Sequence, residues 1–76
     1  MKAGLTVKER RILELWAKGY HPKEIAPMIN LSRVSVNFYG RIVRAKLRAR
    51  TTPQAVAIAV ANHLIRLNDI PEFEED

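Results

Sequence analysis

The sequence predicts an all-α fold: four helices in a single small domain. Three observations carry that expectation. Seventy-six residues suffice for one domain and leave little room for a second. Apolar residues recur at three-, four- and seven-residue spacings, the period of a helix buried on one face. Ahead of each such run stands a start signal, a hydroxyl cap or a first-turn proline: Thr6, His21-Pro22, Ser32 and Thr52-Pro53.

The first helix is expected from about Val7 to Lys18. Thr6-Val7-Lys8-Glu9 has the capping-box form, a hydroxyl at the N-cap and a carboxylate three residues on. Ile12, Leu15 and Trp16 share one face, with Leu13 and Tyr20 flanking it, so Trp16 reads as a core residue. Gly19 ends the helix, because glycine enters the left-handed conformation at little cost. The second helix opens at Pro22, a residue suited to the first helical position. Histidine is an unusual N-cap, so this start is expected to be less well fixed. Ile25, Met28 and Ile29 supply its inner face. Pro27 deletes a hydrogen bond and crowds the preceding turn, which predicts a kink or an early end near Ala26.

After the turn Asn30-Leu31, with Leu31 facing inward, Ser32 caps a third helix reaching Leu47. Val36, Val43 and Leu47 stack on one side, while Asn37, Phe38, Arg41, Arg44 and Arg48 point the other way. Amides, guanidiniums and an apolar ring are the groups that read base edges and grip phosphates. A helix, a turn and a helix so decorated predict a helix-turn-helix DNA-binding domain with this as its recognition helix. Gly40, mid-helix, marks a close approach to DNA backbone or to the first helix, or is simply tolerated at a cost of about 1 kcal/mol. Beyond it, Arg48-Ala49-Arg50-Thr51 forms a basic loop.

Thr52-Pro53 restarts the chain with a cap, giving a fourth helix from Pro53 to Leu67. Val56, Val60, Leu64 and Leu67 make one apolar stripe; Ile58, Ala61 and Ile65 make a second, nearly opposite. A helix apolar on two faces is buried on two faces. The second face is expected to meet another subunit, with Ala57 and Ala61 allowing close approach; the alternative is that both stripes wrap one core. Residues 69–76, Asp-Ile-Pro-Glu-Phe-Glu-Glu-Asp, form an acidic tail expected to be disordered and solvated. The sharper reading makes it a phosphate mimic folding back over a basic face, or a short docking segment for a partner.

Composition narrows the function. Residues 1–68 carry 13 basic and 3 acidic side chains, a balance of +10, whereas residues 69–76 carry 5 acidic and no basic ones; the net charge is +5. So basic a body suggests a polyanionic partner. Hydrophobic content of 47% excludes wholesale disorder. The absence of cysteine removes disulfides and thiolate metal sites, which suits a reducing cytoplasm. No apolar stretch follows Met1-Lys2-Ala3-Gly4 as a secretory signal would require, and the longest apolar run, Ala55 to Ala61, is too short to span a bilayer. His21 and His63 fall on different elements, with no nucleophile, carboxylate pair or glycine-rich phosphate loop beside them, so an enzyme is not expected and no cofactor or metal is implied.

Read together, Leu5-Thr6-x-x-Glu9 with Ile12-Leu13, Ala17-x-Gly19, Lys23-Glu24-Ile25-Ala26, Leu31-Ser32, Ser35-Val36, Lys46-Leu47 and Gln54-Ala55-Val56 resemble the LuxR-type, or GerE-like, helix-turn-helix. The likeness runs without a gap from Leu5 to about Val60. It implies four helices, the third lying in the DNA major groove and the fourth used in dimerisation. By position, Asn37, Phe38 and Arg41 would contact bases. Lys23, Arg33, Ser35 and Arg44, joined by Arg48, would contact the DNA backbone, and Ile58, Ala61, Asn62 and Ile65 would form the dimer interface. The chain departs from the family pattern at several places. Ser35-Val36-Asn37-Phe38-Tyr39 stands for the usual Thr-Val-Lys-x-His, His21-Pro22 for Ser-Asn, and Thr52 for an arginine, while Pro27 is atypical. An amide at Asn37 favours adenine over guanine, and Phe38 suits a thymine methyl or a protein anchor. Tyr39 for histidine is a packing change.

Family members commonly carry this module behind a receiver or ligand-binding domain; this chain shows neither and reads as a stand-alone regulator or an excised fragment. The leading expectation is therefore a bacterial or phage transcriptional regulator, cytoplasmic and associated with the nucleoid. It would bind double-stranded DNA as a homodimer, with a larger regulator or RNA polymerase as a further partner and no membrane. The competing expectation is a small antagonist or adaptor pairing with a larger regulator through the fourth helix or the Phe38 surface.

Overall fold

A computed structural model describes residues 4–66. They form α1 (Val7–Ala17), α2 (Pro22–Met28), α3 (Arg33–Leu47) and α4 (Thr52–Ala61), with no strand among the described residues. Leu67 and the acidic segment 69–76, with the disorder expected of it, lie outside the described residues.

Each start is capped as its local sequence dictates. Thr6 Oγ1 accepts from the Glu9 N–H at 3.1 Å while Glu9 Oε1 accepts from the Thr6 N–H at 2.9 Å, completing the capping box. The start of α2, expected to be loose, is as complete: His21 Nδ1 accepts from the Lys23 N–H at 3.2 Å and Glu24 Oε1 from the His21 N–H at 2.9 Å. A neutral imidazole offers one lone pair, and here it does the work of a hydroxyl. Ser32 Oγ accepts from the Ser35 N–H at 3.1 Å at the start of α3. The cap of α4 is Thr51, one residue earlier than expected, accepting from the Gln54 N–H at 3.2 Å.

All four helices end alike, with a residue at positive φ followed by an N–H that reaches back over the last turn. The residues are Gly19 (φ 94°), Asn30 (56°), Arg48 (56°) and His63 (57°). The reaching bonds are Tyr20 N–H to Leu15 O (3.1 Å), Leu31 N–H to Ala26 O (2.9 Å), Ala49 N–H to Arg44 O (2.8 Å) and Leu64 N–H to Ala59 O (2.8 Å). This is the Schellman arrangement, which satisfies carbonyls that a helix end leaves open. Two helix ends depart from expectation. Helix α4 stops at Ala61, not Leu67, because His63 turns left-handed. Helix α2 continues through Ala26 and Pro27 to Met28, because Pro27 sits in the last turn, where its missing N–H releases only the carbonyl of exposed Lys23.

Helix α3 packs on all three others, and α1 also meets α4. Adjacent residues of α1, about 100° apart around its axis, serve two halves of the core. Ile12 and Leu15 pack with Ile25, Ala26 and Val36 between α1, α2 and α3. Leu13 packs with Val43, Leu47, Ala55, Ala59 and Ile65 between α1, α3 and α4. Trp16 touches both halves. Gly40 faces it: a Cβ there would lie 3.0 Å from Trp16 Cζ2, so the close approach at this glycine is to α1. On α2 the inner face is Ile25 and Ala26 with half-buried Ile29; Met28, expected inside, is exposed.

One ionic clamp sets α3 against α1. Lys46 Nζ lies 2.6 Å and 3.1 Å from the two carboxylate oxygens of Glu9 and donates to the Gly4 carbonyl at 2.9 Å. Glu9 is 3% exposed, and burial pushes its carboxyl up. The Lys46 hydrogen bond, the Thr6 N–H and the Lys46 charge outweigh that and hold it below its ordinary value.

Candidate nucleic-acid interface

The surface that could meet a nucleic acid is built on α3. Val36, Gly40, Val43 and Leu47 are buried, which turns the opposite side of the helix outward. There Asn37, Phe38 and Arg41 are all exposed, and with Val34 they line one shallow cleft of about 320 Å³. The structure thus brings the three expected base-reading residues together. Sequence reasoning missed Val34, 78% exposed and one turn before Phe38; the four- and seven-residue spacings 34–38 and 34–41 were the signal available for it. Phe38, 57% exposed, stands edge-on to Tyr39 with ring centroids 5.6 Å apart and planes at 74°. Lys8 lies 5.2 Å from the centre of the Tyr39 ring. The aromatic pair, braced by a cation, gives Phe38 a defined pose at low entropic cost.

The expected backbone-gripping residues are spread more widely. Lys23 is exposed in the first turn of α2, and Arg33 is exposed at the first residue of α3. Arg48 is exposed at the left-handed residue closing α3, so these two arginines mark opposite ends of a helix about 22 Å long. Ser35 is half-buried, and its hydroxyl accepts from Ser32 Oγ at 3.0 Å. Arg44 departs from expectation. It stands two turns beyond Asn37, away from Phe38, and lies half-buried, its guanidinium 5.8 Å from the centre of the Trp16 ring, with Nη1 donating to Thr52 Oγ1 at 3.3 Å. Arg44, Trp16, Tyr20, His21, Asn37 and Gly40 contribute to a groove of about 340 Å³ beside the recognition face. A stacked, hydrogen-bonded guanidinium presents its remaining donors in a fixed fork suited to an oxyanion.

On α4 the four expected interface residues separate. Ala61 is exposed and Ile58 and Asn62 are half-buried, but Ile65 is 7% exposed and belongs to the core of its own chain. The turn at His63 sends it inward. Asn62 Nδ2 donates to the Ile58 carbonyl at 2.8 Å, so its amide is partly engaged within the helix. Ala57, like Ala61, is exposed. Among the described residues there is no cluster of three metal-ligating side chains and no helix long and apolar enough to cross a membrane.

Four helices, a short α2 joined to α3 by the four-residue turn Ile29–Ser32, and an outward polar face on α3 are the parts of a helix-turn-helix. Residues 3–59 match the GerE family, described as bacterial regulatory proteins of the luxR family. The chain belongs to this family. Its domain is a DNA-binding helix-turn-helix, and the match covers all of α1, α2 and α3 and most of α4. No curated protein matches the chain.

Proposed function

We propose that this LuxR-family chain is a sequence-specific transcriptional regulator that binds double-stranded DNA as a homodimer. The observation that supports it most directly is the joint exposure of Asn37, Phe38 and Arg41 on the side of α3 opposite its buried face. With α3 laid in the major groove, the Asn37 amide matches the N6 and N7 positions of adenine, the Arg41 fork the O6 and N7 of guanine, and Phe38 a thymine methyl. Arg33 and Arg48 at the two helix ends, Lys23 on α2, the Ser35 hydroxyl and the stacked Arg44 grip phosphates and set the register. Exposed Ala57 and Ala61, with Ile58 and Asn62 beside them, supply the surface through which α4 pairs with a second copy. A two-fold dimer then places half-sites about one helical turn apart. A chain working this way resides in the cytoplasm with the nucleoid.

A binding titration against mixed genomic DNA fragments at two salt concentrations, with molecular mass read by light scattering, tests the proposal. Selective fragment enrichment by a dimer, weakening steeply with salt as counterion release demands, is the expected result. Binding indifferent to salt, or a folded protein that ignores DNA, would sink it. In the latter case the exposed pair Val34 and Phe38 supports the second reading, an adaptor that docks on a larger regulator.

A further inference from the structure

A second surface lies next to the recognition face and is not required for reading bases. Val7, at the first residue of α1, is 89% exposed. With Lys8, Arg11 and half-buried Ile29 it lines an open, largely apolar cleft of about 340 Å³ to which two cationic side chains contribute. Lys8 also lies over the Tyr39 ring, and Tyr39 contacts Phe38, so this cleft and the Val34–Phe38–Arg41 cleft adjoin across one aromatic pair. Such a surface fits a ligand that alternates carboxylates with apolar side chains.

The chain contains one. Residues 69–76 carry five carboxylates with Ile70 and Phe73 between them and no basic side chain. Their point of departure is also favourable. Arg66, the last described residue, shares a cavity with Arg10 and Glu14 of α1. Arg10 is only three residues along α1 from Val7, a rise of about 4.5 Å. Phe73 is seven residues beyond Arg66, a reach of up to about 25 Å.

We infer that residues 69–76 dock on the α1–α3 face of their own chain, Phe73 occupying the Val7–Ile29 cleft and the carboxylates facing Lys8, Arg11 and Arg41. Charge complementarity selects this segment over a neutral partner, and the covalent tether supplies an effective concentration in the millimolar range, so a weak contact suffices. The docked segment stands where the major-groove base edges would approach Arg41, making it a competitor of DNA. That consequence rests on the DNA-binding reading above; the docking itself does not.

The test compares amide nuclear magnetic resonance spectra of the full chain with those of Phe73→Ser and Ile70→Ser, which leave every charge in place, and measures DNA affinity of the same proteins. Docking predicts that the amides of Val7, Lys8, Arg11 and Ile29 move when Phe73 is replaced, independently of protein concentration. DNA affinity then rises by about three- to tenfold, as expected when the competent state goes from a minority to nearly all of the population. Val7→Ser, on the cleft side, reproduces the affinity gain. Identical amide positions in the full chain and Phe73→Ser would overturn the inference and leave the cleft to a foreign partner. Shifts that grow with protein concentration would also overturn it, by assigning the occupant to a second copy. If the amides move but no variant binds DNA, the docking stands and the regulator reading falls.

Discussion

Helices α3 and α4 lie side by side in the same core, yet they present their surfaces in opposite ways. In α3 the inside is aliphatic and the outside, Val34 apart, is amide, aromatic and guanidinium, so side-chain chemistry largely says which face is which. Helix α4 carries Ala, Val and Ile almost all round, and alanines stand on both its buried face (Ala55 and Ala59) and its exposed one (Ala57 and Ala61). Larger Val56, Ile58 and Val60 are only half-buried. Small residues bring the α4 backbone close to α1 and α3, and bulkier ones pack at the margins. A polar outer face makes a helix's role legible; a uniformly apolar helix can be oriented only by its neighbours.

Six substitutions break or sharpen that contrast. The largest effect is expected from the shared core: Leu47→Ala on α3 and Ile65→Ala beyond α4 should each cost about 2–5 kcal/mol in denaturant unfolding. For Ile65 the loss should persist at concentrations where the protein is monomeric; a loss that vanished on dilution would return Ile65 to a subunit interface. Lys46→Met comes next, at about 3 kcal/mol near neutral pH, because it strands a buried carboxylate while keeping the aliphatic stem. The pH dependence has a definite sign. Glu9 is held below its ordinary value of 4.5 in the folded chain, so its contribution is present above that value and lost as pH falls through the folded one. The gap between wild type and Lys46→Met should therefore narrow in acid; a constant gap would show that the pair is not its source.

The outer face of α3 should behave differently. Asn37→Ala and Arg41→Ala are expected to leave unfolding within about 0.5 kcal/mol of wild type. Each should remove about 1–3 kcal/mol of discrimination between DNA sequences, read by competition between cognate and altered sites. Equal weakening on all sequences would reassign them to the backbone. The smallest effect tests the end of α4. His63→Gly relieves a side chain held at φ 57° and should stabilise the domain by about 0.5–1 kcal/mol in thermal unfolding. A destabilised variant would mean that the His63 side chain contributes to the domain beyond permitting the turn.

Most of the fold was legible because helix starts are local. Thr6 with Glu9 and Ser32 ahead of Ser35 act within three residues, the range over which a cap makes its bond. Helix ends were legible only where the residue type announces them, as at Gly19. Arg48 and His63 adopt the same left-handed conformation without glycine's freedom to do so, and residue type alone does not announce the end of α4 at Ala61. The cap at His21 is less legible because an imidazole lone pair is a less common acceptor at this position than a hydroxyl or carboxylate. The candidate site was legible for the same reason as α3 itself: spacing collects Asn37, Phe38 and Arg41 opposite the aliphatic stripe, and the amide and guanidinium resist burial.

What the amino-acid sequence determined unaided is the number and starting points of the helices, the basic body with its acidic end, the family, and the outward face of α3. Each depends on residue type within a turn or two of chain. The tertiary structure alone decided that Arg44 lies on Trp16 and Thr52, that Ile65 turns into its own core, that Gly40 admits α1, and that Lys46 meets Glu9 across 37 residues. Those outcomes depend on which side chain reaches a given space first and closes it to others, and close packing settles that between elements far apart in the chain.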